Sequence, residues 1–252
     1  MEHTSDIVVL PVESDLTVLT APRLRHDLDA LIDGGCKRII LNMGKATYID
    51  SAGMATILLE IRKMRAAGGL LSLINVSKPA YRSLRRVRVV DFAPVIPADT
   101  TRQVPELDPR VEPLWRRVLC SDADHMHETR QRVEHLLENT MLTADEAFDM
   151  TLACGEALGN AFDHTDSRYT LVTVSCYPDR VTLDITDTGK GYQLKAGEEP
   201  KTTSGSTLER GRGIKLMRLL ADEVTISLKS SGKGTQVRLV KMLDQAPESA
   251  QQ

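Results

Sequence analysis

Through the first hundred residues, short apolar runs alternate with stretches whose apolar positions recur at helical spacing. Ile7-Val8-Val9-Leu10 and Leu16-Thr17-Val18-Leu19 read as strands. Thr20 is placed to cap a helix with Pro22 in its first turn. Leu24, Leu28, Leu31 and Ile32 then share one face, and Gly34-Gly35 ends the run. Arg38 to Asn42 is the next strand, followed by a helix from about Ala52 to Ala67 that Gly68-Gly69 stops. Leu70 to Val76 reads as a strand and Lys78 to Arg86 as a helix with Pro79 near its start. Such alternation implies a sheet covered by helices.

The pattern changes after a joint marked by Pro94, Pro97, Pro105, Pro109 and Pro113. Polar, proline-rich stretches of this kind are linkers. The expected division is a domain over 1–98, a linker over 99–113, a second domain over 114–243 and a tail over 244–252. In the second domain a helix is expected from about Ser121 to Asn139, with Met126, Val133, Leu136 and Leu137 on one side. Thr143-Ala144-Asp145-Glu146 has the form of a capping box and starts a helix that continues to about His164. Leu171 to Tyr177 and Arg180 to Thr186 form a strand pair. A glycine-punctuated loop leads to a helix near Gly211 to Ala221. Glu223 to Leu228 and Thr235 to Val240 form a hairpin turning at Ser231-Gly232-Lys233-Gly234. The fold class is therefore α/β in two domains, the second an α/β sandwich.

Composition narrows the function. Hydrophobic residues make up 41% of the 252 and charged residues 27%, as in a folded soluble protein. No apolar run approaches the roughly twenty residues of a membrane span, and the N-terminus lacks a basic region leading into an apolar core. The expected location is cytoplasmic, without membrane contact. A net charge of -3, aromatics at 4% and a single Trp argue against direct nucleic-acid binding. Cys36, Cys120, Cys154 and Cys176 are too scattered for a metal motif and read as buried thiols. His125 and His127, two apart on a helix, point to different faces and read as surface residues.

The candidate chemistry lies in the second domain. Glu156, Asn160 and His164 are spaced to share a helix face, with Asp163 beside His164. Asp187-Thr188-Gly189-Lys190-Gly191 follows a strand directly, and Gly211-Arg212-Gly213 is expected to open a helix. Glycines ahead of a helix let backbone N–H groups approach phosphate oxygens. In this order the segments resemble the GHKL ATPase superfamily, and within it the serine-kinase anti-sigma factors of bacteria. Glu156 to His164 is similar to that family's N box, Asp187-x-Gly189-x-Gly191 and Gly211-x-Gly213 to its glycine boxes, and Gly234-Thr235 to its nucleotide-facing strand. Asp222-Glu223-Val224 is also typical of the anti-sigma branch.

The resemblance implies a GHKL (Bergerat) fold with ATP and Mg²⁺ as cofactors. Asn160 would hold Mg²⁺ against the phosphates, and Glu156 would be the catalytic base. Asp187 would select adenine. Asp163, His164, Gly189, Gly191, Gly211, Gly213 and Thr235 would border the nucleotide, with residues 192–210 as a lid.

In the first domain, Tyr48-Ile49-Asp50-Ser51-Ala52-Gly53-Met54 joins a strand region to a helix, where Asp50 or Ser51 can cap. With its β-α-β surroundings over 6–97 it resembles the STAS domain of anti-sigma factor antagonists, whose loop presents a phosphorylatable serine. The matching residue is Ser51; Ala52 stands where serine is common. Glu13-Ser14-Asp15-Leu16 also departs from the family's usual Gly-Glu-Leu/Ile-Asp.

Together the resemblances imply an ATP-dependent serine kinase of the anti-sigma type fused to its own antagonist-like domain. The implied partners are a sigma factor or an anti-sigma or antagonist-type regulator, an intramolecular STAS–kinase contact and a homodimer. The alternative is a non-catalytic module in which ATP only sets partner affinity. A linker of roughly fifteen residues, extended like polyproline, spans about 45 Å, which leaves Ser51 within reach of either its own chain or a neighbour.

Overall fold

Four parallel strands, β1 (Ile7–Pro11), β2 (Arg38–Asn42), β3 (Leu70–Val76) and β4 (Val95–Pro97), pair in that order in a computed structural model of the chain. The structure describes residues 6–100, 103–163, 168–189, 191, 193–194, 206–229 and 232–243. Two compact units, Met1–Thr101 and Arg102–Gln252, divide the chain. Parallel neighbours require crossovers, and α1 (Ala21–Asp33), α2 (Ser51–Ala66) and α3 (Lys78–Arg86) supply them. Burial on both faces explains why β2 and β3 are apolar runs rather than alternating ones. Leu28, Ile39, Leu41, Ile57, Ile61, Met64, Leu73 and Leu84 form the centre of this core.

Two parts of this unit differ from the pattern expected of the sequence. Leu16 to Leu19 is not a strand: Leu16 alone bridges to Ile49, and the chain then turns. The Thr20 hydroxyl donates to the Asp15 carbonyl at 2.7 Å and accepts from the Thr17 N–H at 2.9 Å, which folds the segment back on itself. That hydroxyl is therefore spent on the turn and does not cap α1. Val18 and Leu19 are left exposed. Conversely, the proline-marked stretch contains β4. It is an edge strand, where a missing N–H is tolerated.

The second unit has five antiparallel strands. Along the chain they are β5 (Trp115–Ser121), β6 (Thr170–Cys176), β7 (Arg180–Thr186), β8 (Glu223–Leu228) and β9 (Thr235–Met242), and they pair in the order β5-β6-β7-β9-β8. Helices α4 (Met126–Glu138), α5 (Ala144–Asp163) and α6 (Ser206–Leu220) pack on the sheet, with α5 between the other two. The Thr143 capping box is formed. The Thr143 N–H donates to Glu146 Oε2 at 2.9 Å, and the Glu146 N–H donates to the Thr143 hydroxyl at 3.3 Å.

Strand β5 replaces the expected start of the first helix, which begins at Met126 instead of Ser121. Arg116, Arg117, Val118 and Cys120 are exposed on this edge strand, so no alternation announces it. Cys120 is thus not buried, unlike Cys36, Cys154 and Cys176. Burial pushes the Cys154 thiol up to about 12. Helix α6 starts at Ser206, so Gly211 and Gly213 lie inside it and do not open it. Among the described residues no helix is long and apolar enough to cross a membrane.

Candidate nucleotide site and acceptor loop

Glu156 and Asn160 stand one turn apart on α5, half-buried, while Ala157, Leu158 and Ala161 of the same helix are buried. Helix α6 reaches this polar face through Gly213. A Cβ at Gly213 would lie 3.0 Å from Glu156 Oε2 and 3.1 Å from Asn160 Nδ2. The glycine therefore acts by close approach between two helices. The sixth and eighth positions of a helix lie past its first four N–H groups, the ones left without an intrahelical partner. Gly211 and Gly213 do not act here as a loop ahead of a helix.

A second cluster forms where β7 ends. Asp187 is buried, and its Oδ1 accepts from the Gly189 N–H at 2.8 Å and the Thr235 N–H at 3.0 Å. The Asp187 N–H donates to the Thr235 carbonyl at 3.0 Å, and the Gly234 N–H to the Gly189 carbonyl at 2.8 Å. No hydrogen bond from a described residue reaches Asp187 Oδ2. Gly234 has φ +89°, and a Cβ there would come within 2.2 Å of the Asp187 carbonyl oxygen. Only glycine satisfies both the left-handed backbone and the contact. Lys229, which the motifs did not single out, donates from Nζ to the same carbonyl at 3.3 Å.

Both clusters lie toward one end of the sheet. Thr186 pairs with Leu171 at the start of β6 and with Gln236 at the start of β9. Helix α5 ends at Asp163, a few residues before β6 begins, so its C-terminal half, with Glu156 and Asn160, approaches that end. Asp163 is exposed there. Gly191, with φ +83°, lies against Leu228. His164 and most of the expected lid over 192–210 lie outside the described residues.

In the first unit, Ser51 is the exposed first residue of α2, and Asp50 is the cap. Asp50 Oδ1 accepts from the Gly53 N–H at 2.8 Å and Oδ2 from the Val18 N–H at 2.9 Å. Those two donors hold its carboxyl below the ordinary aspartate range. Asp15 does the same work one loop away. Its Oδ1 accepts from the Tyr48 N–H at 3.0 Å and the Thr47 N–H at 2.8 Å, which lower its carboxyl likewise. Asp15 was visible in the sequence only as part of a departure from the family pattern. A groove of about 500 Å³ beside Ser51 is lined by Val18, Ala21, Pro22, Arg25, Ala52 and Thr56.

Comparison with known proteins divides the chain in the same way. A family model described as a histidine kinase-like ATPase domain matches residues 119–241, and the STAS domain model matches residues 1–102. An anti-sigma F factor of Clostridium botulinum (strain Eklund 17B / Type B) is 32% identical over 105 residues, covering 39% of this chain and 73% of that protein. An anti-sigma F factor antagonist of Paenibacillus polymyxa is 24% identical over 96 residues, covering 38% of this chain and 82% of that protein. The solved structure of the anti-sigma factor antagonist SpoIIAA in its unphosphorylated form is similar at 25% identity and a TM-score of 0.31, covering 38% of this chain and 82% of that one.

Proposed function

From a chain that belongs to the anti-sigma factor family, with a STAS domain fused ahead of its histidine kinase-like ATPase domain, we propose a partner-switching regulator that phosphorylates serine with ATP. The observation that carries this reading is the meeting of Glu156 and Asn160 with Gly213, toward the sheet end that also holds Asp187, Gly189 and Thr235. Asp187 keeps Oδ1 on the backbone and has Oδ2 to accept from the amino group of adenine. Asn160 offers an amide oxygen of the kind Mg²⁺ takes. Among the described residues no group of three or more His, Cys, Asp or Glu side chains could hold a metal. Mg²⁺ ordinarily keeps several waters and takes substrate phosphate oxygens beside one or two protein ligands. Bound Mg²⁺-ATP supplies the γ-phosphoryl group and the charge neutralisation that its transfer needs.

Glu156 is the base in this reading. It takes the proton as a serine hydroxyl oxygen bonds to phosphorus and the bond to the ADP oxygen breaks. Ser51 is the acceptor carried by the chain itself, exposed on a helix N-terminus whose dipole tolerates the added charge. A sigma factor, or a regulator of the anti-sigma or antagonist type, is the external partner, and dephosphorylated and phosphorylated STAS surfaces select between binding states.

The test uses two variants. Asn160→Ala loses Mg²⁺-ATP affinity in calorimetry by about tenfold or more, each tenfold corresponding to about 1.4 kcal/mol. Glu156→Ala keeps that affinity and loses labelling of serine from γ-labelled ATP by about a hundredfold or more, as expected for a general base. Normal turnover in Glu156→Ala removes the base assignment. ATP binding by the wild type without any serine label supports an ATP-sensing module instead.

A further inference from the structure

The last rung between β7 and β9 is only half a backbone rung. Asp187 faces Thr235, one place beyond the Thr186–Gln236 pair, and its N–H donates to the Thr235 carbonyl at 3.0 Å. Residues facing each other in this way across an antiparallel pair ordinarily exchange both bonds, so the Thr235 N–H would return to the Asp187 carbonyl. It goes to Asp187 Oδ1 instead, at 3.0 Å. The carbonyl of a residue only 6% exposed thereby loses its ladder donor, and a buried carbonyl needs one. Lys229 Nζ takes that place at 3.3 Å, from 42 positions along the chain.

The lysine is built into this position. Its N–H donates to the Gly234 carbonyl at 3.2 Å, and its carbonyl accepts from the Gly232 N–H at 2.8 Å, which fixes its backbone at the mouth of the β8–β9 turn. Its stem crosses Gly234: a Cβ there would lie 2.9 Å from Lys229 Cδ as well as 2.2 Å from the Asp187 carbonyl oxygen. The glycine therefore opens the path by which the ammonium reaches that carbonyl. The direction of the carbonyl is set by ψ of Asp187, one of the two soft dihedrals of that residue. The same angle places the Gly189 N–H, two residues on, against Oδ1 at 2.8 Å. Holding the carbonyl thus holds the carboxylate as well.

Resting on the reading that Asp187 Oδ2 accepts from the amino group of adenine, we propose that Lys229 is a positioning residue that sets the nucleobase specificity of this site. It replaces the missing ladder donor, fixes the Asp187 peptide, and keeps Oδ2 aimed where the amino group arrives. Its role is confined to Asp187, and it has no part in phosphoryl transfer. At 3.3 Å the bond is long for an N–H donor, so its loss should weaken the selection several-fold and not abolish it.

The test measures, by calorimetry on the full chain, the affinities for Mg²⁺-ATP and for the Mg²⁺ complex of purine riboside triphosphate, which is ATP without the amino group. Wild type should bind ATP tighter by about tenfold or more, the preference that one hydrogen bond to a charged group gives. Lys229→Met should reduce that ratio several-fold by weakening ATP while the analogue binds as before. Lys229→Arg, which can still donate to the carbonyl, should restore the ratio. A lysine that only supported the fold would weaken both nucleotides alike, and partial unfolding would lower the stoichiometry for both, so neither moves the ratio. An unchanged ratio in Lys229→Met, beside a wild type that prefers ATP, overturns the proposal and leaves the adenine reading standing. A ratio lost equally in Lys229→Met and Lys229→Arg overturns the carbonyl bond as its cause. A wild type that binds both nucleotides equally, or neither, removes the adenine reading and the proposal with it.

Discussion

Asp15 and Asp50 show how two half-buried carboxylates can fix the backbone around Ser51. Neither faces a cation as its principal partner; each is lowered first by backbone N–H donors, Tyr48 for Asp15 and Gly53 for Asp50. A carboxyl whose folded value lies below its unfolded one contributes stability that is complete above the unfolded value, near 3.8 here, and is lost as pH falls through the folded value. The first unit should therefore lose stability progressively below about pH 4, near the ordinary aspartate value. Asp15→Asn and Asp50→Asn should flatten that loss while lowering stability at neutral pH. Thermal melts between pH 2.5 and 7, pH values chosen to bracket about 4, check it; an unchanged slope in both variants removes these groups as its source. A helix start at this loop was legible from sequence, with Asp50 or Ser51 as its cap; the structure gives the cap to Asp50 and makes Ser51 the first helical residue. The role of Asp15 was not legible, since its partners are Thr47 and Tyr48, more than thirty positions away.

Among the elements, the α5–α6 contact decides what the glycines do. Alanine has the higher helix propensity by about 1 kcal/mol, so Gly213→Ala should leave the melting temperature unchanged or raised. The added methyl would nonetheless sit 3.0 Å from Glu156 Oε2 and 3.1 Å from Asn160 Nδ2. Mg²⁺-ATP affinity should fall by about tenfold, the factor that 1.4 kcal/mol represents. Calorimetry beside a thermal melt separates the two effects, and unchanged affinity would show that the contact is only packing. Most elements were legible where a period or a cap marked them: the Thr143 box, the β6–β7 pair, the β8–β9 hairpin. Strand β5 was not, because an edge strand exposed at three successive positions, Arg116, Arg117 and Val118, has no apolar alternation to read. The Leu16–Leu19 segment failed in the opposite sense. Its apolar residues suit a strand, but threonine hydroxyls and the Asp50 carboxylate take its N–H groups.

For the molecule as a whole, two compact units imply two responses to ligand. Mg²⁺-ATP at a hundred times its dissociation constant should stabilise the ATPase unit by about 2.7 kcal/mol and leave the STAS unit's transition where it is. Calorimetric scans with and without nucleotide test this, and a shared shift of both transitions would mean that they unfold as one. The division into two α/β halves, the helix-covered sheet of the first and the hairpins of the second follow from periodicity, caps and turn residues, which are properties of neighbouring positions along the chain; the parallel strand order was read only from the structure. The same holds for the spacing of Glu156 and Asn160, since one helical turn places them on a common face. Tertiary structure alone decided that Gly213 meets that pair, that Asp187 spends Oδ1 on Gly189 and Thr235, and that Arg180 reaches back 75 positions to hold Pro105. Those contacts join residues far apart in sequence. Burial of polar groups demands partners for them, but which partners they meet depends on packing that no local pattern encodes.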